Sequence, residues 1–159
     1  MTILAIDPGK SGGIAVLKDG PACAYAMPDT EGDVAGLLKE ITDPATVAVI
    51  EEVSGFAGTG QPGSAMFKFG RGFGFILGVL AAQRVRVVMV KPQKWQKFLS
   101  LGSRGDLTKT AWKNKLKSMA QQLFPHLKVT LGTADALLLL EYATQARVAV
   151  YAADNPVDN

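Results

Sequence analysis

The chain has 159 residues and a formal net charge of +3 at pH 7. Domains usually run to ~100 to 200 residues, so we expect one domain over residues 1–150, with a tail over 151–159 that is a candidate for disorder. Hydrophobic residues make up 48% of the chain and charged residues 19%, which excludes wholesale disorder. We find neither a signal-peptide pattern nor an apolar run that would cross a bilayer, so a cytoplasmic protein is expected.

The charge is distributed unevenly along the chain. Residues 1–66 carry 3 basic and 9 acidic side chains, residues 67–128 carry 13 basic and 1 acidic, and residues 129–159 carry 1 basic and 4 acidic. An ordinary protein surface intersperses the two signs. A cluster of Lys and Arg of this kind indicates a polyanionic partner, most often nucleic acid.

Three short apolar segments open the chain, over residues 2–6, 13–17 and 22–27. The residues between them include Pro and Asp-Gly, which are typical of hairpin turns. We therefore predict three antiparallel strands. Cys23 is the single cysteine, so it cannot form an internal disulfide, and we expect it to be a small apolar filler of the third strand.

The following segments alternate between helix and strand. Apolar residues at helical spacing predict a helix over 29–41, capped by Asp29 or Thr30, and a β-branched run predicts a buried parallel strand over 46–50. A glycine-rich stretch over 54–63 predicts an exposed loop. The remaining predictions are a helix over 64–83, a strand over 86–90, and helices over 92–99, 108–123 and 134–150. This order describes a mixed sheet with helices on its faces.

Three carboxylates stand where a metal site is plausible: Asp7 ends the first strand, Glu51 ends the fourth, and Asp135 lies near the start of the last helix. Neighbouring strands would bring the first two together, and the helix could add the third. Carboxylates so close raise one another's pKa unless a cation compensates, and hard oxygen ligands select Mg²⁺ or Mn²⁺. Each acid taken singly also fits a turn or a helix cap, so spacing alone leaves both interpretations open.

The segment over residues 7–12 is also partly similar to two other phosphate-binding patterns. Gly9-Lys10-Ser11 is similar to the end of a phosphate-binding loop, but that motif needs a glycine where this chain has Leu4. An acid followed by a glycine turn is also typical of actin-like kinases and ATPases. Their fold requires two such domains, so an actin-like ATPase fragment is kept only as an alternative.

Four motifs together resemble the RuvC-like Holliday-junction resolvases of the ribonuclease H-like superfamily: Ile6-Asp7-Pro8-Gly9, Ile50-Glu51-Glu52-Val53, Gly70-Arg71-Gly72-Phe73-Gly74 and Ala134-Asp135-Ala136-Leu137. The phage and prophage branch is the most similar, because a Gly-Gln loop there precedes Ser-x-Met-Phe-x-Phe-Gly-Arg, here residues 60–61 and 64–71. The resemblance implies an α/β, ribonuclease H-like fold with a five-stranded mixed sheet flanked by helices.

The same resemblance implies an activity. It indicates a homodimer that resolves four-way junctions or other branched DNA by Mg²⁺-dependent hydrolysis of phosphodiester bonds, with Mn²⁺ as a substitute ion. Asp7, Glu51 and Asp135 would be the catalytic and metal-binding residues. Glu52 would point to the opposite side of the extended backbone and have a supporting role.

One position departs from the family pattern. Bacterial resolvases of this type usually have an acid or a histidine three residues before the last aspartate, where this chain has Gly132. Thr130 and Thr133 are nearby but would be weak ligands. The departure supports an alternative function, a junction-binding protein whose cleavage is weak or lost.

Basic side chains of the middle segment are expected to contact DNA phosphates. Lys109, Lys113 and Lys117 recur at a spacing that also fits a plain solvated helix face, but the excess of positive charge favours phosphate contact. Phe56 would wedge against unstacked bases or act as a packing anchor. The expected DNA-binding residues are Lys10, Phe56, Lys68, Arg71, Lys91, Lys94, Lys97, Arg104, Lys109, Lys113 and Lys117.

The remaining aromatic residues and a row of glycines are assigned to packing. Trp95 and Trp112 are expected in the core or at a dimer interface. Gly70, Gly74 and Gly78 recur on one helical face, which predicts close helix packing, either within the chain or across a dimer.

Overall fold

The structure is a computed structural model that describes residues 1–52 and 63–148. Its elements are β1 Ile3–Asp7, β2 Gly13–Leu17, β3 Cys23–Ala26, α1 Glu31–Ile41, β4 Val47–Glu51, α2 Gly63–Ala82, β5 Arg86–Val90, α3 Pro92–Phe98, α4 Lys109–Leu123 and α5 Ala134–Gln145. The predicted order of strands and helices is confirmed. The last helix is shorter than predicted and ends at Gln145; shortly after it, Arg147 adopts a φ of 51°, a left-handed conformation that a helix cannot continue through.

The five strands form one mixed sheet in the order β3-β2-β1-β4-β5. The first three strands pair antiparallel, as the hairpin turns predicted. β4 pairs parallel with β1 and with β5. The parallel pairs place the carboxyl ends of three neighbouring strands at one edge of the sheet.

Alternation along the central strands divides the core into two layers. Ala5 of β1 and Val49 of β4 face the layer formed by α3, α4 and α5. Ile6 and Ile50, the next residue in each strand, face the layer formed by α1 and α2. Odd-numbered residues of β1 therefore face one helix layer and even-numbered residues face the other, and the same holds for β4. This alternation determines which layer an acid at the end of either strand faces.

Two helices begin at threonine caps. The Thr30 hydroxyl accepts a hydrogen bond from the backbone N–H of Asp33 at 3.1 Å, and the Thr108 hydroxyl accepts one from the N–H of Ala111 at 3.1 Å. Such caps satisfy N–H groups that the first turn leaves unpaired, at ~1 kcal/mol each. Thr30, one of the two predicted caps, is therefore the cap of α1.

The prediction for Cys23 is wrong in one respect. The residue opens β3 as expected, but its side chain is exposed. β3 is an edge strand that pairs only with β2, and its burial pattern shows that the helices do not cover it. Cys23 is therefore a surface thiol.

α2 is an apolar helix that the chain covers poorly. Only Ile76 and Leu80 are buried, and Phe67 is 72% exposed. A side chain at Gly70, Gly74 or Gly78 would meet no atom within 4 Å, so the predicted close packing does not occur within the described chain.

By length and composition alone, α2 is the one helix of the described residues that could cross a membrane, which the sequence did not lead us to expect. Length and apolar composition alone do not distinguish a membrane-spanning helix from a helix that packs against protein. Lys68 and Arg71 interrupt the first half of α2, and Arg71 pairs with Glu31 of α1 at 3.0 Å. Ile76 and Leu80 pack in the core layer that also contains Ile6 of β1 and Ile50 of β4.

Candidate functional site

Asp7 and Glu51 end two neighbouring parallel strands and point to the same layer. The register pairs Ile6 with Ile50, so the two acids occupy the next positions of β1 and β4. They have the same parity as Ala5 and Val49, which face α3, α4 and α5. The sequence prediction that these acids share a corner of the sheet is therefore confirmed.

Asp135 reaches this corner because α5 begins beside the β1–β2 turn. A Cβ atom at Gly13 would stand 2.7 Å from the carbonyl oxygen of Gly132, so the two backbones approach as closely as glycine allows. Asp135 follows as the second residue of α5 and is 8% exposed. α5 continues across β1, β2 and β4.

Gly12 fits against Asp7 from within the same turn. A Cβ atom at Gly12 would stand 2.3 Å from the carbonyl oxygen of Asp7 and 2.9 Å from its Oδ2. The turn is closed by a hydrogen bond from the N–H of Gly12 to the carbonyl of Gly9 at 2.8 Å. The sequence offered only a glycine-rich turn here, without the reason for the glycine.

Lys113, which the sequence predicts to be a DNA-binding residue, lies in this corner. Its Nζ donates a hydrogen bond to Oδ2 of Asp135, and its side chain is 34% exposed. Lys113 is adjacent to the buried Trp112 on α4, which places it at the margin of the core stripe of that helix. Its ammonium group is therefore engaged by a carboxylate.

Trp95 is a site residue, although the sequence predicts for it only a place in the core or at a dimer interface. It is fully buried, and its Nε1 donates a hydrogen bond to Oε2 of Glu51 at 3.0 Å. The first turn of α3 positions it, since Pro92 opens that helix directly after β5. A buried indole N–H needs an acceptor, which is the signal that could have linked Trp95 to a neighbouring acid.

The site raises the pKa of two of its carboxylates. Burial, with a further contribution from the charge of Asp135, raises the pKa of Asp7 to about 6, against the charge of Lys113 and the N–H of Gly9. Burial and the charge of Asp7 raise the pKa of Glu51 to about 7, although the Trp95 hydrogen bond lowers it. Perturbed acids of this kind cluster at functional sites.

The pKa of Lys113 is raised above its ordinary value of 10.5. Burial acts to lower it, but the hydrogen bond and charge of Asp135 outweigh burial, and the charges of Asp7 and Glu51 add to them. The ammonium group therefore interacts with all three carboxylates and stays protonated at neutral pH.

The donor chemistry of the corner fits a hard divalent cation. Oδ1 of Asp135 is buried without a hydrogen-bond partner among the described residues. A buried carboxylate oxygen left unpaired is costly, and a cation would satisfy it. Among the described residues, however, no group of three Asp, Glu, His or Cys side chains forms a preformed metal-binding site. Trp95 and Lys113 instead hold one oxygen each of Glu51 and Asp135.

The residues around Gly132, the position that differs from the family pattern, do not supply another ligand. A Cβ atom at Gly132 would stand 3.2 Å from the carbonyl oxygens of Ser11 and Gly12. Thr130 and Thr133 bond to each other, since the Thr133 hydroxyl accepts from the N–H of Thr130 at 3.0 Å and the Thr130 hydroxyl accepts from the N–H of Thr133 at 3.2 Å. The two threonines thus close the turn before α5.

The other predicted DNA-binding residues lie on the surface, apart from Phe56, which is outside the described residues. Lys117 is half-buried. The exposed ones are Lys10, Lys68, Arg71, Lys91, Lys94, Lys97, Arg104 and Lys109. Lys10 follows β1 and Lys91 follows β5, so both flank the edge that carries the acids. Arg71 is engaged with Glu31 at the surface.

A cavity of about 410 Å³ lies on the other side of the sheet, between α1 and α2. Lys10 and Lys68 contribute to its lining, together with apolar residues such as Phe75 and Ile76. None of the three carboxylates lines it. This cavity is thus separate from the acidic corner.

No protein-family model matches the sequence, and no curated protein does. Solved structures do match. A structure of Thermus thermophilus RuvC matches with a TM-score of 0.59 and 18% identity, covering 92% of this chain and 97% of that one. T. thermophilus RuvC in complex with a Holliday junction substrate matches with a TM-score of 0.62 and 16% identity, covering 92% and 96%. The chain therefore has the ribonuclease H-like fold of RuvC.

Proposed function

We propose that the chain is a structure-selective endodeoxyribonuclease that resolves four-way junctions or other branched DNA. The observation that carries the proposal is the meeting of Asp7, Glu51 and Asp135 at one corner of a RuvC-like fold. Two of these acids have raised pKa values, and Asp135 has a buried, unpaired oxygen. The structure of T. thermophilus RuvC with its Holliday junction substrate supports branched DNA as the partner.

The three acids would hold Mg²⁺, or Mn²⁺ in its place. Such an ion, when bound, activates water and neutralises charge on the phosphate that is cut. The chain's own part is to keep the acids together and partly shielded from solvent. Trp95 holds Glu51 by one oxygen, and Gly12 leaves room for the Asp7 carboxylate.

Exposed basic residues on both sides of the corner would hold the DNA backbone. Lys10 and Lys91 flank the sheet edge, and Lys94 and Lys97 lie on α3, which follows β5. Contacts of Lys and Arg with phosphates supply affinity and make it sensitive to salt. Such contacts position the duplex arms relative to the acids.

The apolar face of α2 would form a homodimer. Gly70, Gly74 and Gly78 leave open space along α2, and Phe67 is exposed beside them. A second copy of α2 can approach such a face closely and remove its apolar surface from water. A dimer would present two acidic corners, one for each of two strands cut in a junction. The phage branch of the family and the cytoplasm remain predictions from the sequence.

A junction-binding protein with weak or lost cleavage is the second candidate. The specific observation in its favour is the closely packed Gly132, together with the engagement of Asp135 by Lys113. Such a protein would keep the basic surface and the dimer but lack efficient chemistry.

One experiment separates the two candidates and tests the first. The full chain is incubated with a synthetic four-way junction and with a linear duplex of the same composition, over titrations of Mg²⁺ and Mn²⁺. We expect selective cutting of the junction, abolished by Asp7→Asn with binding retained. Asp19→Asn, the same substitution in the exposed β2–β3 turn, should cut normally. Binding without product at any ion concentration would favour the binding protein, and cutting by Asp7→Asn would overturn the site.

A further inference from the structure

Lys113 places a positive charge in the acidic corner, next to the carboxylates that would bind a cation. Its ammonium group donates a hydrogen bond to Oδ2 of Asp135, a carboxylate whose side chain is only 10% exposed. The other predicted DNA-binding lysines carry no such contact among the described residues. A fixed positive charge is therefore built into the site.

Position 132 leaves little room for a side chain. A Cβ atom there would stand 3.2 Å from two backbone carbonyl oxygens, Ser11 and Gly12, which belong to the turn that also confines Asp7. A side chain at this position would require the turn to shift by a few tenths of an ångström. The corner thus has three carboxylates, and a fourth at position 132 would require the neighbouring turn to adjust.

The charges balance for a single divalent ion. Three ionised carboxylates carry a charge of −3, which one divalent cation and one ammonium group neutralise. Two divalent cations with the ammonium group would leave the corner at +2, in a partly buried place where excess charge is costly. A lysine in contact with a metal-binding carboxylate therefore disfavours a second ion.

We propose that the acidic corner binds one divalent cation per chain and that the Lys113 ammonium supplies the positive charge that a second cation would provide. Its place in cleavage rests on the proposed nuclease function; its effect on ion binding does not. Near the reacting phosphate, the ammonium would stabilise the negative charge that develops on phosphate oxygens. Gly132 and Lys113 then act in the same direction, since the first supplies no ligand and the second supplies positive charge.

Titration of the full chain with MnCl₂, followed by calorimetry and by electron paramagnetic resonance, tests this without DNA. We expect one Mn²⁺ per chain. Lys113→Gln should bind that ion about tenfold more tightly, because the ion no longer competes with a charged hydrogen bond for Asp135. Lys113→Arg should keep one ion at near wild-type affinity. Two ions in the wild type, or unchanged affinity in Lys113→Gln, would overturn the proposal.

Two matched variants separate a charge effect from a loss of structure. Lys117→Gln, one turn further along α4, should leave Mn²⁺ binding unchanged and reduce the salt dependence of DNA binding by about one phosphate contact. Gly132→Asp should lower the free energy of unfolding and still bind one ion. A stable Gly132→Asp that binds two ions would contradict the single-ion site.

Junction cleavage by the same variants links the ion to the proposed activity. Lys113→Gln should cut more slowly although it binds Mn²⁺ more tightly, a split that a purely structural role would not produce. If the wild type cuts no DNA at all but binds one Mn²⁺ in the manner described, the proposed function fails and the single-ion site stands. Faster cutting by Lys113→Gln would overturn the role given to Lys113.

Discussion

The indole Nε1 of Trp95 donates a 3.0 Å hydrogen bond to Oε2 of Glu51. This bond holds the pKa of Glu51 below the value that burial alone would give. Trp95→Phe keeps most of the buried ring and loses the donor. We expect the acidic limb of the pH–cleavage profile to move to higher pH, and the free energy of unfolding to fall by about 1 to 3 kcal/mol. Junction cutting measured from pH 5 to 9 checks the shift. Phe124→Leu, at a buried aromatic residue that caps the carboxyl end of α4, is the control. A profile unmoved in Trp95→Phe would contradict the role.

The raised pKa values of Asp7 and Glu51 predict how stability depends on pH when metal is chelated. Their pKa values rise from 3.8 to about 6 and from 4.5 to about 7 on folding. In that range the folded state binds more protons than the unfolded state, so the free energy of unfolding falls as pH increases from ~4 to ~7.

The same titration predicts that an active-site substitution stabilises the chain. At pH 8, Asp7→Asn should be about 1 to 3 kcal/mol more stable than the wild type in EDTA, because it carries no charge to bury. Urea unfolding at pH 5 and pH 8 measures the difference, which should shrink at the lower pH. Asp19→Asn is the exposed control. Equal stabilities of Asp7→Asn and wild type at pH 8 would show that the corner does not disfavour the charge of Asp7.

Gly12→Ala tests how closely the β1–β2 turn confines Asp7. The added methyl group would stand 2.3 Å from the Asp7 carbonyl oxygen, a distance that no relaxed structure keeps. The turn must shift and carry the Asp7 carboxylate with it. We expect junction cutting to fall at least tenfold while binding to the same junction changes little. Gly20→Ala, in the exposed β2–β3 turn where a Cβ atom has 3.6 Å of clearance, should cut normally. Full activity of Gly12→Ala would show that the turn moves without disturbing the acid.

Gly74→Gln tests the proposed dimer through α2. Among the described residues, no neighbouring atom lies within 4 Å of a Cβ at this position, so the fold accepts the side chain, and the helix gains ~0.5 to 1 kcal/mol in propensity. A second copy packed closely on this face would be pushed away. Sedimentation velocity should show a dimer for the wild type and a monomer for Gly74→Gln. Gly36→Gln in α1, also in open space, should remain dimeric. A dimeric Gly74→Gln would place the interface elsewhere.

The sequence predicted the sheet and the strand-end acids because both are local signals. A β-branched run followed by Glu51, and an apolar run followed by Asp7, indicate buried strands with acids at their carboxyl ends. Parallel pairing then brings the acids together. The predictions that were wrong concern features that depend on residues distant in the sequence. Cys23 looked like a core residue because a sequence does not show which strand lies at the edge of a sheet.

The contact of Lys113 with Asp135 could not be predicted from the sequence for a related reason. On α4 it is one lysine among several at helical spacing, and only the packing of Trp112 against the core turns its side chain toward Asp135. Gly12 and Trp95 were likewise visible as a turn residue and a core residue. Their contacts with Asp7 and Glu51 exist only after the layers have assembled.

The placement of α5 has a consequence for synthesis of the chain. This helix is the last described element, most of its 12 residues are buried, and it contacts β1, β2 and β4 at the centre of the sheet. A growing chain on the ribosome therefore exposes the apolar face of its sheet until about residue 145 has emerged. The third acid arrives with the same helix. Completion of the core and completion of the acidic corner are thus a single late event, and a chain that stops short lacks both.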